Sequence, residues 1–262
     1  MNILLTNDDG YTAEGIMALH RTLSERHQVF LIAPEHEQSA CSNAITVRSR
    51  LRIRAAGEYR FSVSGFPADC VIIGLSGGLI PDVDMVVSGI NHGPNVGDDL
   101  VFSGTVAAAR TAYVFGKAAI AVSLNSYHRP SRYFHEASMF VADFIDECAA
   151  QNKEAPFFYN INYPDLPREK IHGTKYTHVG RRIYRDSFTK TGLEQEEAFV
   201  QMGGYIESVA DEGSDVTELE RGFISITPLM NDPTDYPSLA RMAGKGRYGR
   251  HRSQRKGQGL SQ

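Results

Sequence analysis

The chain has 262 residues, 42% of them hydrophobic, enough for one large domain or for a core domain with an elaborated arm. No apolar stretch approaches the ~20 residues a membrane span needs. The three cysteines, Cys41, Cys70 and Cys148, are far apart with no C-x-x-C pair, which argues against a disulfide framework or zinc knuckle and predicts a reducing cytoplasm.

In chain order, Met1-Asn2-Ile3 lacks a basic segment and opens directly into a strand, which predicts no signal peptide. Residues 2–6 read as a strand, and 13–25 as an amphipathic helix with Ile16, Leu19 and Leu23 at helical spacing. A strand over 28–33 is stopped by Pro34. Residues 44–54 and 58–64 alternate like a hairpin. Pro67 opens a helix over 67–79, and a short buried-type strand covers 84–88. A helix at 105–116 with Thr105 as its N-cap, a strand at 118–124, a long helix at 131–150 and a strand at 157–162 follow. Strand–helix alternation with near-continuous apolar strands predicts an α/β fold, a Rossmann-like, doubly wound and mostly parallel sheet over residues 1–165. Residues 173–205 alternate aromatic and charged side chains and predict an extended β-hairpin arm. Arm and a final strand at 222–229 make up a second region, 166–230, which suits oligomerisation because isolated two-stranded hairpins are marginal in water.

The net charge of -4 is unevenly spread: residues 241–262 carry seven Lys/Arg and no Asp/Glu. The stretch 231–262 is expected to be a basic, disordered tail. Its G-x-G-x-x-G match at 244–249 has no strand before it and no helix pattern after it, so it is not a dinucleotide site. A salt-sensitive nucleic-acid contact is the functional alternative to a solvated tail.

Ligands of open α/β sheets bind beyond the carboxyl ends of the strands. The first strand delivers Thr6-Asn7-Asp8-Asp9-Gly10 there. The second delivers the loop from Pro34 to Asn43, with Ser39 in it, and the strand at 84–88 delivers residues 88–105. Two adjacent carboxylates repel each other unless a positive charge sits near them. Asp8, Asp9, Ser39 and an Asn carbonyl, from Asn91 or Asn95, are hard oxygen donors of the kind that suit Mg²⁺ or Mn²⁺. The alternative is that Asp8 and Asp9 cap the following helix. Ser103-Gly104-Thr105 opens an Ala-rich helix, a natural phosphate seat. Adjacent aspartates do not fit the Asp-x-Asp spacing of haloacid-dehalogenase-type phosphatases, and a Walker A lysine loop is absent. Among aromatics, Tyr11, Phe66 and Phe102 lie in or near these loops, without forming an evident base clamp.

The stretches ILLTNDDGYTAEGI, VFLIAPEHEQSACSNAIT, GFPADCV, DMVVSGINHGPNVGDDLVFSGTVAAAR and GFISITPL resemble the SurE family of metal-dependent nucleotidases, across roughly residues 1–230. The resemblance implies a Rossmann-like core with an arm, assembled as a homodimer or homotetramer. It implies hydrolysis of nucleoside 5′- and 3′-monophosphates by a 5′-nucleotidase needing one divalent cation. It selects Asp8, Asp9, Ser39 and Asn91 as metal ligands; the residue chemistry itself offers Asp8 or Asp9 as acceptor of the proton from water. It places Ser103, Gly104 and Thr105 beside the phosphate, with Asn95 shaping the loop or touching phosphate. Two departures stand out: Cys41 sits where small residues are usual, which predicts oxidation sensitivity, and the chain after Pro228 lacks the family's amphipathic ending. A non-catalytic nucleotide sensor, or a phosphatase acting on polyphosphate or small organic phosphates, are the alternatives. Asp98 and Asp99 repeat the acidic theme and carry a minor expectation of touching the metal's waters.

Overall fold

The structure is a computed structural model that describes residues 1–127, 131–150, 155–192 and 198–243. Its elements are β1 (Asn2–Thr6), α1 (Glu14–Ser24), β2 (Gln28–Pro34), β3 (Ile53–Gly57), β4 (Arg60–Val63), α2 (Pro67–Ser76), β5 (Met85–His92), α3 (Gly104–Val114), β6 (Ala118–Asn125), α4 (Phe134–Ala150), β7 (Phe158–Pro164), β8 (Thr174–Tyr176), β9 (Arg182–Thr191), β10 (Phe199–Ser208), α5 (Asp215–Glu220), β11 (Ile224–Pro228) and α6 (Tyr236–Ala243). A 3-10 turn covers Gly97–Val101.

Among the described residues, nine strands form one sheet in the order β3-β4-β2-β1-β5-β6-β7-β11-β8. Strands β4, β2, β1, β5, β6 and β7 run parallel, as the doubly wound reading requires. β3 and β11 are antiparallel to their neighbours β4 and β7. The chain runs outward from β1 to β2 and β4, then returns to place β5 on the other side of β1. That reversal makes the β1–β5 boundary the topological switch point, where such sheets open a crevice.

Alternation along the central strands explains the two covering layers. Ile3 and Leu5 face α1 and α4, packing with Ile16, Leu19, Val141 and Ile145. Leu4 faces the other way, toward α2 and α3, with Val71, Val106 and Ala109. Each such fully buried aliphatic side chain contributes about 1.5–3 kcal/mol. Because β1 is buried on both faces, the turn that follows it is held firmly.

Several expectations need correction. Residues 44–52 are not a strand: the hairpin is confined to β3 and β4, with Ile53 opposite Val63, and Ile45 and Val47 are exposed. β5 runs four residues beyond the expected strand, through a cis Gly89–Ile90 peptide, so Asn91 and His92 lie on its end and pair with β6. A Cβ at Gly89 would fall 2.3 Å from the Val122 carbonyl oxygen, which is why the strand carries glycine there. Residues 174–176 join the main sheet as its edge, parallel to β11, leaving the arm as β9 and β10 alone. From Met230 the chain forms a unit of its own. Within the stretch expected to be disordered, residues 236–243 are helical, and the exposed Tyr236, Leu239 and Met242 recur at helical spacing, so an amphipathic segment is present after all. Residues 244–262, with the expected disorder and nucleic-acid contact, lie outside the described residues. No described helix is long and apolar enough to cross a membrane.

Candidate active site

The turn after β1 is built to aim carboxylates outward. Asn7 is fully buried, and its Nδ2 donates to the Gly10 carbonyl at 2.9 Å, closing the turn. Gly10 takes a φ of +105°, a conformation that glycine adopts without strain. The Gln38 N–H donates to the Asp8 carbonyl at 2.7 Å and so fixes the loop after β2 against the turn.

That second loop carries Ser39, whose Oγ donates to Glu37 Oε1 at 2.7 Å. Ala40 and Ser42 adopt φ of +54° and +51°, which for residues with a Cβ costs about 1–2 kcal/mol each. The loop is held in that shape by Ser42, whose N–H and Oγ donate to the carbonyls of Phe102 and Val101 at 2.9 and 2.8 Å.

On the other side of β1, β5 ends at Asn91 and His92. Asn91 Nδ2 donates to the Gly93 carbonyl at 2.8 Å, which orients the amide and reserves Oδ1 as its acceptor. The His92 N–H donates to Asp9 Oδ2 at 3.0 Å. Asn95 is anchored from below by a buried polar cluster. Its N–H donates to Asn162 Oδ1 at 2.9 Å, its Nδ2 bonds Ser123 Oγ at 2.8 Å, and its carbonyl accepts from Nδ2 of Asn160 and Asn162 at 2.8 and 2.9 Å.

The start of α3 completes the site, with one correction. Its N-cap is Ser103, whose Oγ accepts the Val106 N–H at 3.0 Å, and not Thr105. Thr105 lies inside the first turn, fully buried, and its hydroxyl donates to Asp8 Oδ1. It therefore braces the carboxylate rather than facing solvent. Gly104 lets Asp8 and Cys41 pack against the helix: a Cβ there would lie 2.7 Å from Cys41 Sγ and 2.9 Å from Asp8.

One cavity of about 580 Å³ brings together Asp8, Asp9, Ser39, Asn91, Asn95 and Ser103. Gly104 and Thr105 stand behind Asp8 and do not line it. Glu37, Asp99 and Asp186 also line it, and among the described lining residues there is no lysine or arginine. Asp8 is 5% exposed and has no Lys, Arg or His partner among the described residues. Burial, with the neighbouring charge of Asp9, pushes its carboxyl up to about 6, against the Thr105 hydrogen bond, which favours the ion.

A divalent cation fits this corner on charge and on chemistry. It would offset the charge of buried Asp8 beside half-buried Asp9, and the donors are carboxylate, hydroxyl and amide oxygens, all hard. Among the described residues no group of three or more His, Cys, Asp or Glu is arranged to hold a metal ion, so the Ser and Asn oxygens are needed to complete a set. The expected oxidation sensitivity of Cys41 is not supported. Burial, then the Asp8 charge, pushes its thiol up to about 11, and a protonated thiol is a poor nucleophile.

The sequence and the fold have counterparts among known proteins. A family model described as "Survival protein SurE" matches residues 3–186. The chain belongs to the SurE family. SurE relatives named 5′-nucleotidase SurE include those of Leptospira interrogans, 38% identical over 93% of this chain and 97% of its own length, and of Neisseria gonorrhoeae, 39% identical over 93% and 98%. The crystal structure of the SurE protein from Aquifex aeolicus superposes with a TM-score of 0.81 at 31% identity, covering 94% of this chain and 99% of that one. The likeness therefore spans the arm as well as the SurE core.

The arm also supplies what the sequence did not reveal. Tyr184, Asp186, Met202 and Ile206 line the cavity from β9 and β10, opposite Phe102. Asp99 does not point at the carboxylate pair. It accepts from Arg182 Nη1 and from the Tyr184 hydroxyl, while the Arg182 N–H donates to Asp98 at 2.9 Å. Of the aromatics near the loops, Phe102 lines the cavity, Tyr11 packs against the core, and Phe66 precedes α2. Glu35, in the loop after β2, is paired with Arg52 and Arg54.

Proposed function

We propose that the chain is a divalent-metal-dependent phosphomonoesterase that hydrolyses nucleoside 5′-monophosphates, and 3′-monophosphates as well, to nucleoside and phosphate. The observation that carries this reading is a cavity end of oxygen donors where the described lining residues include no lysine or arginine, since such an end repels a phosphate dianion unless a cation intervenes. The names of the SurE relatives support the substrate class.

In this reading Asp8, Asp9, Ser39 and Asn91 hold Mg²⁺ or Mn²⁺. The cation supplies Lewis-acid polarisation of the phosphoryl group and neutralises its charge. The protein's share is positioning, which dominates phosphoryl transfer. Thr105 fixes Asp8, the His92 N–H fixes Asp9, Glu37 orients the Ser39 hydroxyl, and the Gly93 carbonyl turns Asn91. Asn95 and Ser103 line the cavity where phosphate oxygens would meet the start of α3, and Gly104, behind them, lets Asp8 pack against the helix. Asp8 or Asp9 accepts the proton of the attacking water.

We further assign residues 1–165 to the catalytic core, 166–230 to the arm with the final strand, and 231–262 to a tail. Phe199 and Tyr205, exposed on the face of the hairpin turned away from the cavity, support assembly of a homodimer or homotetramer through the arm. The three cysteines, none in a disulfide and two of them buried, support the cytoplasm as the place of work.

The test is phosphate release from a panel of nucleoside monophosphates. Activity is expected to vanish with excess chelator, to return with Mn²⁺ or Mg²⁺, and to be lost in Asp9→Asn without loss of fold. Full turnover in chelator, or near-wild-type turnover of Asp9→Asn, overturns the assignment.

A further inference from the structure

The arm presents a face that the chemistry above leaves unused. The register sets Tyr184 opposite Ile206, Asp186 opposite Gly204 and Phe188 opposite Met202. Side chains alternate between the faces of a hairpin. Arg182, Tyr184, Asp186 and Phe188 therefore share one face with Met202 and Ile206, and four of these six line the cavity that holds Asp8 and Asp9. Phe102 closes the same end: its ring meets that of Tyr184 edge to face, with centroids 6.1 Å apart and planes at 89°.

The cavity thus has two unlike ends. One is made of oxygen donors; the other is aromatic and aliphatic. At the second end the apolar groups are not packed away: Phe102 is 52% exposed and Met202 72%. Large apolar side chains left open beside a reaction centre mark a ligand surface. The Tyr184 ring is also held in place. Asp99, in the 3-10 turn three residues before Phe102, accepts from both Tyr184 and Arg182. One carboxylate therefore ties both aromatic walls to the loop that leads into Ser103.

We propose that this arm face and Phe102 form the nucleobase platform, with the base stacked on Tyr184 and met edge-on by Phe102, Met202 and Ile206 flanking it, and Asp99 acting as the positioning residue that holds the Tyr184 ring. The inference rests on the nucleotidase reading and names the part of the substrate that reading left unplaced. A nucleoside monophosphate matches the cavity end for end, with an anion at one pole and a flat π-surface at the other. The volume, about 580 Å³, lies within the usual range for small-ligand sites. A stacking platform accepts every base, because every base has a π-face, and it favours purines for their larger one.

The experiment compares kcat/KM for adenosine 5′-monophosphate with that for ribose 5-phosphate, which has the same phosphoester and no base. Alongside it, calorimetry measures binding of adenosine, which has no phosphate. In Tyr184→Ala the ratio of the two kcat/KM values falls about tenfold and adenosine binding weakens by a similar factor, the scale of one lost base–aromatic stack. Tyr184→Phe, which keeps the ring, retains most of both. Met202→Ser, at the same end, lowers the ratio by a smaller factor and serves if Tyr184→Ala fails to fold. Asp99→Asn raises KM for adenosine monophosphate by a larger factor than it lowers kcat, and the opposite split overturns the positioning role. An unchanged ratio and unchanged adenosine affinity in the Tyr184 and Met202 variants, with phosphate still released, sink the platform and leave the reaction standing. Tyr184-dependent adenosine binding without phosphate release from either ester sinks the reaction and leaves the platform.

Discussion

Replacing Gly104 with alanine separates the stability of the site from its geometry. Gly104 opens α3 and has no left-handed φ, so the backbone accepts alanine, and the lost glycine entropy returns about 0.4–1 kcal/mol. The new Cβ meets Cys41 Sγ at 2.7 Å and both Cβ and Oδ2 of Asp8 at 2.9 Å, where about 3.5 Å is the comfortable limit. The Asp8 side chain or the start of the helix must therefore give by about 0.6 Å. Overpacking of this kind costs about 1–3 kcal/mol, so the net loss is about 1–2 kcal/mol, or a fall in Tm of roughly 2–8 °C. The rate suffers more: a shift of this order at a positioned group costs up to about a hundredfold, and kcat/KM should drop by about 10- to 100-fold in a protein that remains folded. The assay pairs phosphate-release kinetics with a thermal melt, in Gly104→Ala and in Gly104→Ala with Cys41→Ala. The second change removes the nearest clash but neither contact with Asp8, so it should restore Tm more than rate. Wild-type kcat/KM in Gly104→Ala, or full recovery of rate on adding Cys41→Ala, would show that Asp8 placement is not what the glycine protects.

Other outcomes follow from buried titratable groups. Asp215 accepts N–H bonds from Gly180, Val216 and Gly97 at 2.7, 2.8 and 3.0 Å, joining the root of the arm to the loop before the 3-10 turn. Asp215→Ala strands three buried donors and should cost about 3–5 kcal/mol in denaturant unfolding, and a loss below about 1 kcal/mol would contradict this role. Burial holds His20 and His27 below the ordinary histidine range, with nearby Arg60 adding to the effect at His20. The unfolded chain then takes up these protons first, so stability is full above about pH 6.5 and falls as the pH drops below it. Melts at pH 7.5 and 5.5 check this, and His20→Gln with His27→Gln should shrink the difference; an unchanged difference rules these groups out as its source.

Most of the core was legible because its signals are local. The apolar run before Asp8, the periodicity of Ile16, Leu19 and Leu23, and Pro67 at a helix start each report on neighbours a few residues away. Asp8, Asp9 and Ser39 were legible for a related reason: in a doubly wound sheet, the strand ends where they sit converge by topology, whereas Asn91 was told from Asn95 only by the family resemblance. The misreadings trace to competition that a short window does not contain. Thr105 looked like a cap, but Asp8, 97 residues earlier, claims its hydroxyl, and Ser103 takes the capping role. Residues 44–52 alternate well enough for a strand, yet among the described residues they join no strand ladder, and Thr46 instead bonds Asp69 through its N–H and its hydroxyl, each at 2.8 Å. Tyr184 was invisible as a cavity residue because only the pairing of β9 with β10 fixes which face of the arm it occupies.

The three polar side chains beneath Asn95 have a mechanical consequence. Asn160, Asn162 and Ser123 rivet that loop to two central strands, so its backbone cannot swing aside as a door during turnover. The floor of the reaction chamber stays rigid while product departs. Any freedom of the chamber walls then belongs to the hairpin overhead, which Asp98, Asp99 and Asp215 tether at its root.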